Sequence, residues 1–184
     1  MLNIRVQKSG DEAFIAEILQ KMHRSHCELK TAAGGGEEPD AATAKEIAFR
    51  FVNAADERGA FIYEDLPSGT PVGIVLYRCR NRQDAFPDYE VFGRLDPRLF
   101  PSGGRFLQVV LLWVHPGYRR LGLGSELLRR VEAEARLRQI RLLFLLVEGT
   151  NRPAMQLVRR LRYREITRGP VWDQVVRVSL IKRV

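Results

Sequence analysis

The stretch FLQVVLLWV-HPGYRRLGLG-SELLRRVEAEARLRQI-RLLFLLV, Phe106 to Val147, reads as strand, turn, helix and strand. Phe106 to Val114 is apolar at nearly every position, as a strand covered on both faces requires. The helix over Gly124 to Arg138 keeps Leu127, Val131 and Ala135 on one stripe. Glu126–Arg130, Glu132–Arg136 and Glu134–Arg138 stand one turn apart with the acid first, the pattern of a solvated outer face. Arg141 to Val147 is a second buried strand, and two such strands joined through a helix form a parallel, right-handed unit. The turn holds Gly122 and Gly124 between the Arg119–Arg120 pair and the helix. Glycine in a helix costs roughly 1 kcal/mol relative to alanine, so two of them imply either a plain connector or a backbone shaped for a purpose.

Working outward, Leu2 to Val6 is predicted as a strand. A helix follows with Asp11 as cap and Phe14, Ile18, Leu19 and Met22 at helical spacing. Thr31 to Asp40, with its triple glycine Gly34–Gly36, is a loop. Asp40 caps a second helix that buries Ile47, Phe51 and Ala55 and stops at Gly59. Strands over Ala60–Glu64 and Pro71–Arg80 flank a hairpin connection, LPSGTP. Asn81 to Gly104 is irregular, with a short strand around Tyr89–Phe92. After the central unit, Asn151 caps a helix that carries Pro153 in its first turn. Two closing strands follow, the last alternating Val176, Val178 and Leu180. The resulting order, β-α-α-β-β-loop-β-α-β-α-β-β, calls for a mixed sheet with helices on both faces.

The 184 residues suit one domain, 1–184, with a sizeable core. A 45% hydrophobic and 28% charged composition is that of a soluble globular chain. No apolar run approaches the ~18 residues of a membrane span, and the first residues lack the apolar core of a signal peptide. The two cysteines, Cys27 and Cys79, have no metal-ligand spacing, which points to a reduced, cytoplasmic setting. The net charge of +8 favours an anionic partner. The basic residues are scattered, which argues against dedicated nucleic-acid binding.

A helix start offers unpaired amides and the positive end of the helix dipole, both suited to phosphate. Glycines at Gly122 and Gly124 let a ligand approach the backbone, and Arg119 and Arg120 add charge. The spacing is neither a Walker loop nor a dinucleotide fingerprint, which would need glycine at Leu127.

Val114 to Gly124, V-H-P-G-Y-R-R-L-G-L-G, resembles the acyl-CoA signature of the GNAT superfamily of N-acetyltransferases, where a strand ending V-x-P leads into Q/R-x-x-G-x-G/A and a helix. Arg119, Gly122 and Gly124 fill its fixed positions. Val147 to Leu157, V-E-G-T-N-R-P-A-M-Q-L, is similar to the family's next block, V-x-x-x-N-x-x-A-x-x-L. The resemblance is strongest from Phe106 to Tyr163. It implies an α/β (α+β) fold: a mixed, mostly antiparallel sheet of about six to seven strands with a central parallel splayed pair, flanked by about four helices. It also implies acetyl-CoA as acyl-donor co-substrate, its pyrophosphate on the amides of Arg119, Arg120, Leu121, Gly122, Leu123, Gly124 and Ser125. The pantetheine arm would follow Leu112, Trp113 and Val114, with an N–H near Val114 polarising the thioester carbonyl. Asn151 would reach the arm, or serve as a plain helix cap. Dimers are common in the family.

The implied reaction is attack of a primary amine on the thioester, for which a base must remove a proton. Glu90 and Tyr89 are the first candidates and Glu148 the second; His115 reads as a loop residue facing solvent, and no metal is expected. Val158 stands where many family members carry a tyrosine taken as the general acid, with Arg162 and Tyr163 at a glycine and a phenylalanine. Leu146 stands where enzymes acting on ribosomal-protein N-termini carry glutamate. A non-catalytic acyl-CoA-binding module is therefore the alternative to an N-acetyltransferase.

Overall fold

The alternation and apolar runs of the sequence become eleven principal elements in a computed structural model that describes residues 1–22, 41–53, 57–82, 96–100, 104–171 and 174–184. In chain order they are β1 (Leu2–Val6), α1 (Glu12–Lys21), α2 (Ala41–Asn53), β2 (Arg58–Asp65), β3 (Thr70–Asn81), β4 (Arg105–Val114), α3 (Leu123–Leu137), β5 (Leu142–Glu148), α4 (Arg152–Arg160), β6 (Arg164–Pro170) and β7 (Val176–Arg183). The strands form a seven-stranded mixed sheet in the order β1-β2-β3-β4-β5-β7-β6. β4 and β5 are parallel, with Leu107 opposite Leu143 and Val109 opposite Leu145. β1–β2, β2–β3, β5–β7 and β6–β7 are antiparallel. The fold class expected from the sequence is the one found.

Contacts gather the chain into two units, Met1–Arg78 with Val110–Arg130, and Cys79–Val109 with Val131–Val184. In the first, Ile15, Ile18 and Leu19 of α1 and Ala44, Ile47, Ala48 and Phe51 of α2 pack with Ala60, Ile62, Ile74, Leu76 and Leu111. Side chains alternate between faces along a strand, so Tyr63 and Gly73 point to the opposite face. There a Cβ added at Gly73 would touch Leu127 of α3 and Tyr63, each at 3.5 Å. Helices thus cover both faces of this part of the sheet. In the second unit, Phe106, Leu142, Phe144 and Ile181 form a core joined by Leu99, Phe100, Leu146 and Ile166.

Several local expectations change. Gly59 ends no helix; it lies within β2 opposite Tyr77, where an added Cβ would fall 2.4 Å from the Tyr77 hydroxyl. Asp11 stands at the α1 N-cap position without capping it through its side chain. Its carboxylate takes Arg5 Nη1 and Nη2 at 2.8 and 2.9 Å and the Lys8 N–H at 2.7 Å. On α3 only Glu134–Arg138 pairs as expected, at 2.6 Å. Glu126 meets Arg129 instead, at 3.4 Å. Glu132 is buried and accepts from Lys182 Nζ at 2.7 Å, because β7 brings a cation to that side of the helix. On β7, Val176 is exposed while Arg177 through Ile181 are all buried, since this strand is flanked by β5 and β6. Asp40, Ala55, the Gly34–Gly36 loop and the short strand around Tyr89–Phe92 lie outside the described residues.

Candidate active site

Where β4 ends, the chain makes one tight turn, Pro116–Tyr118. His115 closes it: its Nδ1 accepts the Gly117 N–H at 3.2 Å, and its exposed ring lies edge-on to Trp113 and Tyr118. The expected loop histidine is thus a capping residue. Arg119 then runs extended, Arg120 takes φ 66°, and Gly122 takes φ 88° before α3 begins at Leu123. Left-handed backbone of this kind favours glycine. No atom lies within 4 Å of a Cβ built at Gly122, so its glycine serves conformation and an open approach. Gly124, already helical, needs no unusual dihedral.

Helix α3 has no side-chain cap. Gly122 supplies a carbonyl to the Ser125 and Glu126 amides at 2.9 and 3.1 Å. Among the described residues, the five amides of Arg120, Leu121, Gly122, Leu123 and Gly124 have no acceptor. The helix is held by Leu123, Leu127, Leu128 and Val131, all buried, while Arg119 to Gly122 are exposed. A row of amides at the positive end of a fifteen-residue helix can hold an anion by backbone alone. Arg120 brings charge to the same turn. Arg119 braces it, donating Nε to the Val114 carbonyl at 3.1 Å.

The end of β4 has two chemically distinct edges. The His115 N–H donates to the Val72 carbonyl at 2.8 Å, and the Trp113 carbonyl lies beside Gly73. Peptide groups alternate along a strand, so those of Leu112 and Val114 face away from β3. The Val114 N–H thus faces away from β3 at this strand end, whereas that of His115 is spent on it. Trp113 is half-buried with its ring edge-on to Phe14 at 6.0 Å.

In the second unit, Glu148 closes β5 with its side chain 28% exposed. Arg177 Nη2 lies 4.0 Å away, on a side chain only 1% exposed. A buried guanidinium needs a carboxylate nearby, and the β5–β7 register sets Glu148 opposite Arg177. Asn151 is the cap of α4, its Oδ1 accepting the Ala154 N–H at 3.1 Å. Its N–H donates to the Glu148 carbonyl at 2.9 Å. Val158 is buried on α4 and can donate no proton. Tyr163 is also buried, and its hydroxyl has no hydrogen-bond partner among the described residues. Burial first, and then the Glu132 charge, push that phenol far above its ordinary range, so it keeps its proton.

Tyr89 and Glu90 lie outside the described residues, as do His23 and His26. Sequence reasoning passed over Arg177 and Gly73. A cation inside the apolar run VVRVSL was the available signal for Arg177; a glycine amid PVGIVLY was the signal for Gly73. Among the described residues, no cluster of three or more His, Cys, Asp or Glu side chains could hold a metal ion. No described helix is long and apolar enough to cross a membrane.

Residues 17–163 match the family model described as Acetyltransferase (GNAT) family. No curated protein matches the chain. Among solved structures, Arabidopsis thaliana NAA60 in complex with a bisubstrate analogue aligns with TM-score 0.70 and 18% identity, covering 100% of this chain and 98% of that one. The same protein in complex with acetyl-CoA gives 0.69 and 17%, covering 100% and 99%. An N-acetyltransferase from Staphylococcus aureus Mu50 gives 0.67 and 14%, covering 100% and 98%.

Proposed function

The chain belongs to the acetyltransferase (GNAT) family, and from that premise we propose that it transfers the acetyl group of acetyl-CoA to a primary amine of a small molecule or peptide, by direct attack in a ternary complex. The observation that carries this reading is the run of five open amides from Arg120 to Gly124. Those amides fit the diphosphate of acetyl-CoA, with Arg120 adding charge and Ser125 closing the turn. The outward-facing amides of Leu112 and Val114, beside Trp113, suit the extended arm, and Asn151 is assigned to the same ligand by its place in the family's second sequence block.

Acetyl-CoA supplies the activated acyl group. The amine nitrogen forms the new C–N bond, the C–S bond breaks, and one proton must leave the nitrogen. Glu90 and Tyr89 stay the first candidates for the base, and Glu148, with the Arg177 guanidinium 4.0 Å away, is the candidate among the described residues. The Val114 N–H would stabilise the charge that develops on the carbonyl oxygen. Nothing on α4 offers a proton to the leaving thiolate, which takes one from water.

An amine-panel assay of coenzyme A thiol release tests the proposal. Turnover with small amines or peptide N-termini is the expected result. The burial of Val158 and Tyr163 favours one alternative, an acyl-CoA-binding module without catalysis. Tight acetyl-CoA binding with no turnover on any amine would establish that instead.

A further inference from the structure

Arg162, Arg164, Lys182 and Arg183 line a cavity of about 440 Å³, with Ile181 as its apolar member. None of these residues belongs to the turn at the head of α3. The Lys182 ammonium is already engaged by Glu132 at 2.7 Å and sits over the Tyr163 ring. Arg162, Arg164 and Arg183 are exposed, and among the described residues their side chains have no hydrogen-bond or ion-pair partner. The neighbouring acid on β6, Glu165, is taken by Arg168 through two bonds of 3.1 Å. Three uncompensated guanidiniums therefore converge on one cavity, and their mutual repulsion is relieved by a bound anion.

We infer that this cavity binds a small, multiply charged, phosphate-bearing anion. Guanidiniums match phosphate oxygens in paired donor geometry. The volume lies in the range of roughly 300–1,000 Å³ that small ligands fill. A nucleic-acid strand is disfavoured because no ring is offered for base stacking; Tyr163 is buried beneath Lys182. The position of Arg162 is fixed by the end of α4. The Arg162 and Tyr163 amides donate to the Arg159 and Val158 carbonyls, each at 2.9 Å, which sets Arg162 at φ 62°. Glycine usually occupies that place; here it carries a cation.

Calorimetric titration of inorganic tripolyphosphate into the full chain, with and without saturating coenzyme A, tests the inference. With coenzyme A filling the turn at the head of α3, one site is expected; without it, that turn adds a second, and both weaken steeply with salt. The double variant Arg164→Glu, Arg183→Glu should lose at least about tenfold in tripolyphosphate affinity with coenzyme A affinity unchanged. Arg162→Gly suits the local backbone, so it should raise the melting temperature while weakening tripolyphosphate binding. Binding that vanishes with coenzyme A, or survives the double charge reversal in its presence, overturns the site. A single-stranded RNA oligonucleotide that binds more tightly than tripolyphosphate overturns the small-anion assignment.

Discussion

Helices α3 and α4 both follow a strand of the same parallel pair through a short turn, yet they begin in opposite ways. At α4, Asn151 fills the cap and Pro153 removes an amide that would have gone unpaired. At α3 the cap position is a glycine and five amides stay open. The α4 start is closed for stability, whereas the α3 start stays open, as the proposed cofactor site requires. Helix α1 supplies a third case: its cap-position acid, Asp11, is turned back onto Arg5 and Lys8.

The largest expected effect concerns the acid that precedes the α4 turn. Glu148→Gln should lower kcat about a hundredfold or more, and it also leaves Arg177 without that carboxylate. Glu148→Asp separates the two roles: thermal melting should recover toward wild type while kcat stays low. Recovery of both together would make Glu148 a structural partner only. Next, Gly124→Glu puts a bulky anion among the open amides, and acetyl-CoA affinity should fall about a hundredfold, ~2.7 kcal/mol. Stability should hold or rise, because glutamate suits a first helical turn. Unchanged affinity in calorimetry would remove α3 from the binding site.

Asp11→Asn should cost about 2 kcal/mol at neutral pH. Burial alone would raise the Asp11 pKa, but the Arg5 and Lys8 bonds outweigh it and hold it below its usual value. Its stabilisation is therefore complete above the unfolded carboxylate pKa of about 4 and is lost as pH falls through the lower folded value. The gap between variant and wild type in acid melting curves should close over that window. Asn151→Ala should cost about 1 kcal/mol; an acetyl-CoA KM that stays constant would confine Asn151 to capping. Smallest is Gln139→Gly, at φ 57° just past α3. It should stabilise the chain by about 0.5 kcal/mol, visible as a slightly raised melting temperature.

The turn and helix start proposed for the donor were legible in the sequence because local rules write them. An apolar strand, a glycine turn and an amphipathic helix are short-range patterns, and so is the Asn151 cap. What escaped depends on contacts far apart in the chain. Gly59 looked like a helix stop because nothing local reveals the Tyr77 ring lying over it. Glu132 fitted a solvated stripe, and only the β7 register brings Lys182 to it. Arg177 and Glu148 meet across strands in the same way.

Strand β6 ends the sheet order beyond β7, and its outer edge is a template on which another chain could assemble. Its composition discourages that. Arg164, Glu165 and Arg168 are exposed charges, and a register irregularity between Glu165 and Thr167 bends the ladder. Pro170 at its end lacks the amide a further strand would need. The edge therefore repels strand-on-strand aggregation, and replacing its charges with valines should make the chain precipitate well before it unfolds.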